Sequence, residues 1–149
     1  MSARFAAIES YKVKVAESNI IQLLMHAHSN NMDEVFTKEA VASYGNFAYD
    51  YVPAIELMTK QGIIKLIEKV LQQFPDSKRI MELTLVTVSN LMYGNDDIKK
   101  DIGLTCGDEI VDVIKRHNEH KPIQQAAMRA VGNLASIDEN IKWLYREIR

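Results

Sequence analysis

Cysteine is nearly absent. Cys106 is the only one in 149 residues, which excludes an internal disulfide framework, and a lone thiol in such a chain reads as a buried or half-buried structural side chain rather than a nucleophile. Long apolar runs are lacking too: none approaches the roughly 18 residues that a membrane-spanning helix needs. The amino-terminal MSARFAAIESYKVKV puts charges where a signal peptide carries its apolar core, so the expected home is the cytoplasm or the nucleus. There is no surplus of positive charge, with 18 Lys and Arg against 20 Asp and Glu and a net charge of -2. Attraction to phosphate backbones or anionic membranes rests on such a surplus, and neither nucleic acid nor membrane is expected as a partner.

Catalytic signatures are equally scarce. Gly103 and Gly107 lie in GLTCG, which lacks the Lys-Ser/Thr that completes a phosphate-binding loop. His26 and His28 are two apart and point to different sides of a helix. His117 and His120 stand in a polar break beside Glu119 and Pro122 and read as solvated loop residues, without the third ligand a metal site needs. No catalytic residue, metal or cofactor is expected, and the protein is read as non-enzymatic.

What the chain does have is 47% hydrophobic and 26% charged residues, ordinary for one globular domain. Its apolar residues follow a 3.6-residue rhythm, as in Ile63, Ile64, Leu66, Ile67, Val70 and Leu71, and not the alternation of strands. Asn-Gly and Asp-Gly hairpin signals are missing. An all-α fold follows.

Three short stretches then repeat: SYGNFA around Asn46, VSNLM around Asn90 and VGNLA around Asn133, at intervals of 44 and 43 residues. In the same register, NIIQLL, GIIKLI and GDEIVD open equivalent segments, giving units 19–61, 62–106 and 107–149 behind an amino-terminal helix at 1–18. Each unit reads as a long helix, a polar break (SNNMD, FPDSKR, HNEHKP), and a second long helix through the asparagine. A short helix follows, at 54–60, 98–105 or 141–149. Gly62 and Gly107 are expected to turn that short helix sharply into the next unit, and Gly45, Ser89 and Gly132 to let helices approach closely. Asp96, Asp97 and Asp101 look like helix-start charges.

Three helices per unit of about 43 residues, a glycine before the second helix and a small-Asn-apolar triplet near the end of the third resemble the armadillo repeat, over residues 19–149. The resemblance implies a right-handed α-α superhelix of three repeats. Phe5, Ile8 and Tyr11 are expected to cap one end. At the other, Trp143, Leu144, Tyr145 and Ile148 either pack back on the last repeat or await a further repeat or partner, as in a fragment of a longer array.

The resemblance also implies that the third helices line a concave groove, with Asn46, Asn90 and Asn133 pointing into it. An amide carries both donors and an acceptor and so matches a peptide backbone; the alternative is that each asparagine bonds a neighbouring loop or helix end. Four residues before each Asn stand Ala42, Val86 and Arg129, where the nuclear-import adaptors of this type carry Trp, so recognition of basic localisation peptides is not expected. The expected lining is Lys38, Ala42, Asn46 and Tyr49; Glu82, Val86, Asn90 and Tyr93; and Gln125, Arg129, Asn133 and Ser136. Tyr49 and Tyr93 read either as contact aromatics or as half-buried turn residues. Two roles remain open: a scaffold or adaptor holding an extended or helical segment of another protein, or a regulatory or structural piece of a larger protein. In the second role it packs on a neighbouring domain or self-associates through the terminal repeat.

Overall fold

A computed structural model describes the backbone of residues 3–148 and the side chains of residues 9–146. The expected capping contacts of Phe5 and Ile8, and that of Ile148, lie outside the described side chains. Among the described residues the chain is helical throughout, with no strand. Nine helices follow in order: α1 Ala3–Glu17, α2 Ile20–Asn30, α3 Glu34–Ala48, α4 Val52–Lys60, α5 Ile63–Gln73, α6 Lys78–Met92, α7 Asp96–Arg116, α8 Lys121–Leu134 and α9 Asp138–Ile148.

Local chemistry sets the starts. Asp33 accepts from the Phe36 amide at 2.8 Å ahead of α3, and Asn95 from the Ile98 amide at 3.0 Å ahead of α7. Ser77 caps α6, and the imidazole of His120 caps α8. Such caps satisfy amides that have no partner within the helix. Asp96 and Asp97 occupy the first turn of α7 and Lys115 and Arg116 its last, charges placed to suit the helix dipole. Pro53 and Pro122 fall in first turns, where proline's missing N–H costs nothing.

Gly62 turns the chain between α4 and α5 with φ of 87°, a left-handed conformation open to glycine. Gly107 does not repeat that turn. The short helix expected at 98–105 and the long helix after Gly107 are one uninterrupted 21-residue helix, α7, and the expected unit boundary at 106/107 falls inside it. Gly107 serves the packing instead: a Cβ there would stand 2.7 Å from the Trp143 ring. The absence of a side chain lets α9 close on α7.

The helices pack as successive neighbours. α6 lies between α3 and α8; α5 packs on α7, α7 on α9, and α1 on α2 and α4. The centre of the core belongs to α6, where Ile80, Met81, Leu85, Val88, Leu91 and Met92 are wholly buried. Each such side chain contributes about 1.5–3 kcal/mol by leaving water. Side-chain hydrogen bonds between distant helices span 35 to 46 residues. Thr87 Oγ1 donates to the Val41 carbonyl at 3.0 Å, Gln73 to the Met32 carbonyl at 3.1 Å, His117 Nε2 to the Pro75 carbonyl at 2.7 Å, and Asn140 to the Lys99 carbonyl at 3.0 Å. The separations are 46, 41, 42 and 41 residues, close to the interval between the asparagines.

Candidate functional site

Where α3, α6 and α8 lie side by side, their exposed edges enclose a shallow groove of about 390 Å³. Ala42, Gly45, Asn46 and Tyr49 come from α3 and its end; Arg79, Leu83, Val86, Thr87 and Asn90 from α6; Arg129 from α8. Helical spacing explains the set: Arg79, Leu83, Val86 and Asn90 advance by four, three and four residues and share one face. The helices approach closely because Gly45 has no side chain; a Cβ there would meet Thr87 Oγ1 at 2.8 Å.

Two of the three asparagines have a structural task. Asn90 Nδ2 donates to the Gly45 carbonyl at 3.1 Å and Asn133 Nδ2 to the Ser89 carbonyl at 3.4 Å, each tying its helix to the preceding one. Asn90 still lines the groove and keeps its amide oxygen and a second N–H. Asn46, on the first of the three helices, is exposed and its side chain makes no hydrogen bond to another described residue.

Of the expected lining, the structure brings together Ala42, Asn46, Tyr49, Val86, Asn90 and Arg129. Lys38, Glu82, Tyr93, Gln125, Asn133 and Ser136 lie outside that set. Lys38 sits 3.9 Å from Glu39, and Glu82 accepts from Arg79 at 3.4 Å. Tyr93 is 72% exposed just past the end of α6, and Gln125 is exposed on α8. Ser136 receives a hydrogen bond from Lys99 at 3.0 Å. Tyr49 is 66% exposed, with Lys12 reaching its carbonyl and standing 5.6 Å from its ring centre. Sequence reasoning missed Arg79, Leu83 and Thr87; Leu83 lies one helical turn before Val86 and Arg79 two turns before it.

A second concavity, about 600 Å³ and mostly apolar, opens along α7 and α8 between Val111, Ile114, Ala127, Met128, Val131 and Leu144. Met128 is 80% exposed there, and a Cβ on Gly132 would meet nothing within 4 Å. The close approach expected of Gly132 is therefore not made, because no described helix covers this side of α8.

Cys106, His28, His117 and His120 are engaged in packing and capping. Cys106 is buried, its Sγ lies 3.6 Å from the Ile64 carbonyl, and burial, aided by Glu109 and Glu68, pushes its pKa up to about 12. His117 is buried, not solvated as expected, because its ring donates to the Pro75 carbonyl; His120 is taken up by its cap. His28, wholly buried, bridges the Tyr44 hydroxyl and Thr37 Oγ1, each at 3.0 Å. Among the described residues no group of three or more His, Cys, Asp or Glu side chains is placed to hold a metal ion. Nor is any described helix long and apolar enough to cross a membrane. Compared with family models, curated proteins and solved structures, the chain has no significant match in any of the three.

Proposed function

We propose that this protein is a non-enzymatic scaffold or adaptor, coiled as a right-handed armadillo-like superhelix, whose α3–α6–α8 groove holds an extended or helical segment of another protein. The observation that carries the reading is the groove itself. It sets an exposed amide, Asn46, a half-engaged amide, Asn90, and an exposed aromatic, Tyr49, around the apolar side chains Leu83 and Val86. Amides match a peptide backbone, while a tyrosine adds apolar area and a polar tip. The superhelix is supported by the reach of the hydrogen bonds between distant helices, 35 to 46 residues, since a stack in which each unit touches its neighbours produces contacts about one unit apart.

A photo-crosslinking side chain at position 46 or 129 should attach to a partner protein in a cell extract, whereas one at Lys69, exposed on α5, should not. Equal labelling from both places would remove the groove from consideration.

One observation favours a second reading, a regulatory or structural piece that packs on a neighbouring domain or on its own copy: the open apolar face of α7 and α8. Exposed apolar patches of this kind mark interaction sites. Under that reading the protein sizes above its 17.0 kDa monomer mass at raised concentration, and Met128→Glu returns it to the monomer. A monomer at every concentration, with or without the substitution, leaves self-association without support.

A further inference from the structure

We infer that the α3–α6–α8 groove selects an acidic segment, one in which aspartate or glutamate alternates with apolar side chains; this rests on the groove reading above and adds the chemistry of the partner. The chain as a whole carries a net charge of -2, yet the groove inverts that sign. Its charged lining residues are Arg79 and Arg129, and no carboxylate lines it. Concavities walled by protein focus such a local field.

The two arginines differ in availability. Arg129 is exposed and, among the described residues, its side chain takes part in no ion pair and no hydrogen bond. Arg79 meets Glu82 at 3.4 Å within its own helix, with the arginine side chain 62% and the glutamate 29% exposed. Partly exposed pairs one turn apart on a helix are weak, so an incoming carboxylate competes with Glu82 for this guanidinium. Guanidinium groups bind carboxylates through two parallel N–H donors, a geometry that lysine does not reproduce. In the same groove Leu83 and Val86 offer apolar side chains, and Asn46 and Asn90 offer amide groups to the backbone of whatever lies there. Carboxylates for the arginines, an apolar side chain for Leu83 and Val86 and main-chain amides for the asparagines together describe an extended acidic peptide. Basic peptides are disfavoured by the same two charges.

The test uses short fluorescein-labelled peptides of alternating Glu and Leu, the same peptide with Lys for Glu, and an oligouridylate of similar length, with amide resonances of the protein followed during each titration. The acidic peptide should bind at least about tenfold more tightly than the lysine peptide and weaken as salt is added. It should shift the resonances of Asn46, Val86 and Arg129. Arg129→Glu, at an exposed position that leaves helicity unchanged, should remove the preference for acid. Binding of the lysine peptide at equal or greater strength, with shifts at the same residues, would overturn the acidic specificity while leaving the groove in place. Shifts elsewhere, or none with either peptide, would overturn both. Tighter binding of the oligouridylate with the same dependence on Arg129 would make the partner a nucleic acid and end the proposal.

Discussion

At the scale of single residues, the neighbouring helix outweighs residue type. Asn46, Asn90 and Asn133 repeat in sequence, but Asn90 and Asn133 each have a preceding helix whose carbonyl they reach, and Asn46, on the first of the three, makes no such bond. The Gly45 carbonyl also accepts from the Tyr49 amide at 3.1 Å, so Asn90→Ala leaves it satisfied; the expected loss is about 1 kcal/mol or less in urea unfolding. His28 couples stability to pH. Burial holds its imidazole below the ordinary 6.5, against an opposing pull from Asp33, so the unfolded chain takes up a proton that the native state resists. Its contribution to stability is complete above about pH 6.5 and is lost as the pH falls below it, by at most about 1.4 kcal/mol per pH unit. The urea midpoint should drop accordingly between about pH 7 and pH 5, and His28→Gln, which keeps hydrogen-bonding capacity without a titrating ring, should flatten the slope. An undiminished slope in that variant would assign the effect elsewhere.

At the scale of helices, the glycines show why one residue type carried two meanings. Gly62 stands at φ of 87° with open space around it, so Gly62→Ala meets no clash and suffers only backbone strain, about 1–2 kcal/mol. Gly107 lies inside a helix, where alanine gains about 1 kcal/mol in propensity, but its Cβ would press on the Trp143 ring. Trp143 is the only tryptophan, and its indole N–H donates to Asp108 at 2.9 Å. Gly107→Ala should therefore shift the emission to the red while costing little global stability, and Gly62→Ala should lower stability without moving the emission. The reverse assignment would show that α9 is not seated on α7 as described. The helix spans were legible from caps and periodicity; the fusion across Gly107 was not, because a glycine before an apolar run looks the same whether it breaks a helix or clears room for a neighbour.

At the scale of the whole molecule, packing between successive helices makes the middle the most stable part. α6 is covered on two sides by α3 and α8 and holds the densest set of wholly buried side chains, whereas α9 rests chiefly on α7. Hydrogen exchange should find the slowest amides in α6 and faster ones in α9, and Leu85→Ala should cost about 2–5 kcal/mol. Amides of α6 exchanging as fast as those of α9 would contradict this order. The groove is a property of this scale too. Its lining was half legible, since Ala42, Asn46, Tyr49, Val86, Asn90 and Arg129 follow from the repeated register. Arg79 joins Arg129 through the placement of α6 beside α8, which no local pattern encodes.

The sequence by itself determined the all-helical character, most of the helix positions and the recurring asparagine interval, because helical periodicity and capping act over a few residues along the chain. Only the tertiary structure decided which carbonyl each asparagine meets, that α7 runs unbroken past Gly107, and that two arginines share one groove on an acidic chain. Those outcomes depend on which surfaces are brought together across some forty residues, and that is settled by packing.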